Sequence, residues 1–443
     1  MQLDDHPTVV RVRAKPAPPS PHRKPLDADW LKELARRCGA DDVGLVEIDR
    51  PALDDQRALI RQVFSETRSL LAFVVRMNRE PVRSVVRSVA NQEFHAVYDE
   101  VNETARKIVA ALAAADVTAC NSVAAFPMEV QNAARSWMVA HKPVAVAAGL
   151  GQMGVHRSVI HPKFGSFVLL GTVLLADEAS AYDKPIDYNP CLGCNLCVAA
   201  CPVVALKPDG HFDFFTCYTH NYREFLGNFV DWVGHVADAK SAADYRRRVP
   251  DNDTVSMWQS LSFKPGYKAA YCISVCPAGE DVINPYLEDR KAYVERIVRP
   301  LRDKPETLFV LPGSDAETEA RQRFPNKKIQ HVRRTLRATS VASFTAFMRL
   351  GFQRGKAKGL SAVYHWSFTG REKTQVTVRI KDGKLSISPG LVGEADVTIH
   401  ADAATWLKIL NRDQGILPAL ILRKLRVKGS MALFRAFGQC FPG

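Results

Sequence analysis

The stretch Cys191-Leu192-Gly193-Cys194-Asn195-Leu196-Cys197-Val198-Ala199-Ala200-Cys201-Pro202 decides the fold of the middle of this chain. Its spacing is C-x2-C-x2-C-x3-C-P, which suits the iron–sulfur cubanes of bacterial ferredoxins. The first three thiolates wrap one cubane, and the fourth points away to another cluster. A partner motif must therefore lie elsewhere. Tyr271-Cys272-Ile273-Ser274-Val275-Cys276-Pro277 repeats the C-x3-C-P ending. A full repeat would carry another cysteine three residues before Cys272, where Ala269 stands, and the only cysteine between the two motifs is Cys217. By the crossover rule, Cys191, Cys194, Cys197 and Cys276 hold cluster 1, while Cys201, Cys217 and Cys272 hold cluster 2. Cluster 2 is one thiolate short. Either its fourth iron takes a non-cysteine ligand or solvent, or the cluster is a three-iron form; His211 and His220 lie nearby in sequence. A zinc ribbon uses two C-x2-C pairs closing one tetrahedron, which these spacings do not give.

Ten cysteines in 443 residues are too sparse for a disulfide framework. The polar first 24 residues contain no apolar leader segment. Both features predict a reducing, cytoplasmic setting. No run approaches 18 apolar residues, so no transmembrane helix is expected. An apolar content of 47% against 24% charged leaves ample material for several packed cores. The net charge of +13 is concentrated late, with 17 Lys and Arg against 9 Asp and Glu in residues 281–360. That region reads first as a solvated linker and helix face. Docking of an acidic redox partner, an anionic membrane or RNA is the alternative.

Five segments follow. Residues 1–26, with Pro-Ala-Pro-Pro-Ser-Pro at 16–21, are expected to be disordered. Residues 27–185 alternate helices with strands, as an α/β layered domain does. Helices are predicted over 27–38 and Asn91–Ala114, and strands at Val43–Ile48, Leu70–Val75, Thr118–Ala125 and Phe167–Leu175. Residues 186–285 form the ferredoxin-like domain. An insertion at 220–265 carries Phe225, Phe229, Trp232 and Trp258, read as packing for the clusters. Residues 286–339 are a basic linker with a short strand at 308–311. Residues 340–443 are an α+β unit. Val376, Val378 and Ile380 alternate before Asp382-Gly383, and Leu385 and Ile387 alternate after it, a hairpin pattern with a two-residue turn. Its final helices carry more apolar residues than so small a sheet needs.

Gly149-Leu150-Gly151-Gln152-Met153-Gly154 spells G-x-G-x-x-G, with a possible strand at Val144–Ala148 and Asp177 downstream. A dinucleotide site would open a helix at the third glycine. Pro162 and Gly165 arrive too soon for that, so this reading is set aside. Instead, Ala148–Gly154 with Ile160, Phe164-Gly165-Ser166 and Leu169-Leu170-Gly171 resembles the segment before the ferredoxin region of epoxyqueuosine reductases. The likeness extends more loosely to corrinoid-dependent reductive dehalogenases. Glu93-Phe94-His95 and the isolated Cys217 add to it, over about residues 27–285. The resemblance implies a nitroreductase-like α/β domain, two clusters feeding electrons to a cobalamin, and a reduced small-molecule substrate. Gly149, Gly151 and Gly154 would then approach the corrinoid. One departure stands out: the Asp expected three residues before Pro127 is Ala124. This disfavours a nucleic-acid substrate. His156, Arg157, His95 and Tyr98 are the catalytic candidates, with Glu129 and Lys163 behind them.

The C-terminal unit resembles the sterol carrier protein type-2 fold. The likeness is carried by the Asp382-Gly383 hairpin, Ala395–Ile399, the helix at Trp406 and Leu425-Arg426-Val427-Lys428-Gly429-Ser430. It implies a site for lipids or acyl chains. The combined expectation is an iron–sulfur oxidoreductase reducing an apolar or lipid-like substrate, with a redox protein as donor. The alternative is an electron-transfer protein with no active site of its own.

Overall fold

The computed structural model describes residues 3–14, 24–129, 137–332 and 337–442. Its first layer is a four-stranded sheet of β1 (Asp42–Glu47), β2 (Ser69–Arg76), β3 (Ala119–Asn121) and β4 (Val168–Leu175). The spatial order is β1-β2-β4-β3, and every pair is antiparallel. The unbroken apolar run in β2 follows from burial on both faces. Leu71, Phe73 and Val75 face a core shared with helices Ala28–Arg37 and Arg87–Ala114. Leu70, Ala72 and Val74 face a second core with Ile60 and Ala145, from helices Asp54–Val63 and His141–Ala147. Asp27 caps the first of these helices, its carboxylate accepting from the Trp30 amide at 2.7 Å.

Several expectations change here. Val144–Ala148 lies in a helix rather than a strand; Pro143 sits in its first turn, where no amide is needed. The third strand shrinks to three residues. Of the segment expected to be disordered, Pro7–Arg13 forms a short helix with no buried residue, while residues 1–2 and 15–23 lie outside the described ones. Residues 286–339 are no mere linker. Strands Thr307–Val310 and Lys328–His331 pair in parallel. Tyr293, Ile297, Val298, Leu301, Leu308 and Val310 share one apolar core with the cysteine segment. Short cysteine helices cannot close a core alone, and this stretch supplies the missing apolar side. The insertion splits: Phe225 is buried, whereas Trp258 is 58% exposed on the surface helix Asp251–Phe263.

The C-terminal unit is a five-stranded sheet in the order Lys384–Pro389, Thr374–Lys381, Ser361–Thr369, Val397–Asp402, Leu425–Gly429. Only the central pair, 361–369 with 397–402, is parallel. Asp382 (φ 47°) and Gly383 (φ 72°) make the predicted hairpin turn, and both need the left-handed region. Between sheet and helices, Trp366 lies 4.6 Å from Trp406 and 5.3 Å from Phe437, centroid to centroid.

One cross-strand pair in the first layer is tightly set. Gly171 on β4 stands opposite Phe73 on β2, and the buried Phe73 ring occupies the space a Cβ would need. Gly171→Ala should cost about 1–3 kcal/mol, because neither the ring nor the strand has room to move. Denaturant unfolding midpoints of the variant and the parent chain measure this.

Candidate iron–sulfur centre

Two short helices carry the cysteine motifs, and they are built alike. Asn195 (φ 56°) precedes helix Leu196–Ala200, which holds Cys197; Ala270 (φ 57°) precedes helix Tyr271–Ser274, which holds Cys272. In each, a left-handed residue turns the chain sharply into one turn of helix. The C-x3-C-P ending then carries the last cysteine off the helix. Ala269 matches Cys194 in this repeat, is buried, and donates its amide to Asn221 Oδ1 at 2.9 Å.

Cys191, Cys194, Cys197 and Cys276 line one small cavity, together with His156. This is the four-cysteine set expected for cluster 1. Cys201, Cys217 and Cys272 also lie within electrostatic reach of one another. Burial, then Cys201 and Cys272, push the Cys217 thiol well up; burial, then Cys201, push Cys272 to about 12. Burial raises Cys276 to about 11. Cys197 is raised by burial and then by Cys272, so the two groups lie within electrostatic reach of each other. Among the described residues, no three Cys, His, Asp or Glu side chains close on one point as a single ion requires. A cubane binds each thiolate to a different iron atom and spreads its ligands around a larger body. The donor set fits iron–sulfur clusters.

The histidines proposed near cluster 2 face elsewhere. His220 accepts from the Phe309 amide at 3.3 Å, and after burial its strongest charge partner is Glu306. His211 responds to burial and then to Arg354. Lys142, which no spacing rule singles out, does face cluster 2. After burial, Cys272 and Cys217 act on it most strongly, and its ammonium donates to the Arg157 carbonyl at 2.6 Å. The sequence held no signal for it, since a lysine at a helix start is ordinary.

The catalytic candidates separate. His156 is buried beside cluster 1, and burial, then Lys142, hold its imidazole down at about 4. Arg157 is exposed with φ 62°. Tyr98 meets Tyr267 hydroxyl to hydroxyl at 3.3 Å, and Tyr267 packs on Tyr222 at 5.5 Å. Burial, then Cys217, push the Tyr222 hydroxyl well up, so this aromatic group lies within electrostatic reach of that thiol. His95 is half-buried on the same helix as Tyr98, between Lys264 and Asp99. Glu129 and Lys163 are exposed.

The glycine turn is closed by the chain itself. A Cβ on Gly149 (φ 75°) would meet the Lys184 carbonyl at 2.5 Å, and one on Gly151 (φ 155°) the Ile160 carbonyl at 2.4 Å. Gly154 is set against Ile160 and the His156 ring. These glycines serve a hairpin of Gln152–Met153 with Val159–Ile160 and leave no bare backbone facing a corrinoid. The residues present do not fit that group at this turn. A second glycine crossing ties the layers together. Gly165 and Gly279 (φ 66° and 110°) meet face to face, and the Glu280 and Asp281 amides donate to the Pro162 and Lys163 carbonyls at 2.9 and 3.0 Å.

Comparison with known proteins agrees with this geometry. Residues 184–207 match a 4Fe-4S binding domain, and residues 346–442 match the SCP-2 sterol transfer family. The chain carries both domains. It also resembles epoxyqueuosine reductases. It is 32% identical to that of Bacillus cereus over 113 residues, covering 23% of this chain and 29% of that enzyme. The match to the Gloeobacter violaceus enzyme is 29% over 178 residues, covering 39% and 51%. The matched stretches thus span between about a quarter and a half of these relatives' lengths. Among solved structures, the epoxyqueuosine reductase from Streptococcus thermophilus aligns with a TM-score of 0.35 at 14% identity, covering 60% of this chain and 74% of that one. A catabolic reductive dehalogenase aligns with a TM-score of 0.37 at 16% identity, covering 62% and 34%. No helix among the described residues is long and apolar enough to cross a membrane.

Separate ligand sets predict separate losses. Cys276→Ala should remove cluster 1 and Cys217→Ala cluster 2, each roughly halving the iron of the reconstituted protein. Iron and sulfide analysis with electron paramagnetic resonance of each reduced variant checks this.

Proposed function

We propose that this chain is an iron–sulfur reductase that passes electrons through two adjacent clusters to an apolar, lipid-like acceptor presented by its C-terminal unit. The two cysteine sets, one lining a single cavity and the other within electrostatic reach of it, carry this reading. Bound clusters would supply one-electron transfer. The protein's part is to bind them with seven thiolates and to keep water from the buried ones. Lys142 adds a positive charge beside cluster 2, and the Tyr98–Tyr267–Tyr222 group lies within electrostatic reach of Cys217. We place the division of labour at 27–185 for a nitroreductase-like layer, 186–285 for the clusters and 340–443 for the ligand unit, with 286–339 completing the cluster core.

The lipid-like acceptor rests on the SCP-2 match and on surface chemistry. Leu417 and Ile421 stand 69% and 80% exposed on helix Ile416–Ile421, where apolar side chains are out of place unless something covers them. No step is assigned to a corrinoid, because the glycine turn is filled. That same filling favours a second reading, an electron carrier without a reaction site of its own. One epoxyqueuosine reductase structure contains a tRNA stem loop. A tRNA acceptor here is the less favoured reading, since Ala124 stands where those enzymes place an Asp.

Three outcomes separate these readings. A reductase of lipid-like acceptors should have its reduced clusters reoxidised by a long-chain acceptor in vesicles. Leu417→Asp with Ile421→Asp should slow that about tenfold while sparing both clusters, the loss expected from apolar contacts worth ~1.5 kcal/mol or more. Equal reoxidation by soluble acceptors, untouched by these substitutions, favours the carrier. Binding of tRNA with a salt slope of several would instead favour the nucleic-acid reading.

A further inference from the structure

The turn Val155-His156-Arg157-Ser158 lies between the two cysteine sets. On one side the Arg157 carbonyl takes the Lys142 ammonium, on which Cys272 and Cys217 act. On the other side His156 is among the residues lining the cavity of the cluster 1 cysteines. His156 is 5% exposed. Its Nδ1 accepts the backbone N–H of Ser158 at 3.1 Å. A ring nitrogen that accepts bears no proton, so the hydrogen of the neutral imidazole sits on Nε2. Nε2 is buried and has no partner in the protein.

His161, five residues on, shows what is missing. Its Nδ1 accepts from the Lys163 and Phe164 amides at 3.1 and 3.2 Å, and its Nε2 meets Asp42 Oδ2 at 3.1 Å. The same backbone device fixes the same tautomer in both rings. His161 spends its free N–H on a carboxylate, and His156 has no such acceptor. A buried donor left unmatched is costly, and the surroundings that could match it are the cavity bounded by four thiols.

We propose that His156 Nε2–H donates a hydrogen bond to a sulfur of cluster 1, either an inorganic sulfide or a ligating thiolate, and so raises that cluster's reduction potential relative to its neighbour. Hydrogen bonds to cluster sulfurs withdraw charge and stabilise the reduced state. His156 is thus a positioning residue of the electron path rather than a proton donor to substrate.

The proposal rests on the two-cluster reading, and the test separates the two. The full-length chain is reconstituted anaerobically with iron and sulfide, and each cluster is titrated by paramagnetic resonance. His156→Leu should lower the cluster 1 midpoint by about a tenfold change in its reduction equilibrium, 59 mV for one electron, with cluster 2 unmoved. His156→Gln, which keeps an N–H, should recover part of that shift. In the parent protein, an exchangeable proton coupled to cluster 1 should vanish in D2O and be absent from His156→Leu. Full iron content with an unmoved midpoint overturns the inference alone. If His156→Leu loses the cluster, the exchangeable coupling in the parent decides: its presence supports the bond and its absence overturns it. A parent chain that retains no iron overturns the two-cluster reading, and this inference with it.

Discussion

Seven thiol groups brought together in a largely buried space are the constraint from which the rest of the middle domain follows. Each thiolate raises its neighbours' cost of ionising, and burial raises it further, as Cys217, Cys272 and Cys276 show. Left to themselves these groups would stay protonated. Iron relieves the repulsion by taking the negative charge, so metal binding and folding of this region are coupled through proton release. The paired motif helices are too short to hold such a site unaided. Their core is closed by Tyr293, Ile297, Leu301 and Leu308 from the stretch downstream.

The site is held to the first layer by close backbone contact as well as by side chains such as Ser274, whose hydroxyl donates to the Val82 carbonyl at 2.8 Å. Gly165 against Gly279, with two amide–carbonyl bonds beside them, lets the loop before β4 lie directly on the Cys276 turn. Ser166 follows in that loop, and its hydroxyl donates to the Ile273 carbonyl at 3.1 Å, beside the Cys276 turn. Any side chain at either glycine would push the layers apart. The Phe164-Gly165-Ser166 stretch therefore does its work as a spacer between sheet and clusters.

How much of this was legible in the sequence depends on the kind of signal. The cysteine assignment rests on spacing, because a short chain between ligands leaves few geometries, and the three cysteines that the crossover rule groups with Cys276 line one cavity with it. The Asp382-Gly383 turn was legible for a similar reason, because two consecutive left-handed residues leave little else to build. The central strand of the C-terminal sheet carried a readable signal that went unused: Ala362, Tyr364, Trp366 and Phe368 alternate across it and are all buried. The glycine turn was misleading for a physical reason. A glycine that admits a cofactor and a glycine that admits the chain's own carbonyl look alike in sequence. Lys142 was illegible because its role comes from where helix His141–Ala147 docks.

Helix Phe214–Asn221 belongs to two units at once. It carries Cys217, and the neighbouring Phe215 packs on Phe347 at 5.6 Å and fills the space beside Gly351. Just ahead of it, Asp213 accepts from Gln353 at 2.8 Å. Helix Val341–Gly351 of the SCP-2 unit thus packs directly on the helix that carries Cys217. A displacement of either helix is therefore transmitted to the other through Phe215 and Gln353, so the sulfur of Cys217 and the SCP-2 unit share one mechanical support.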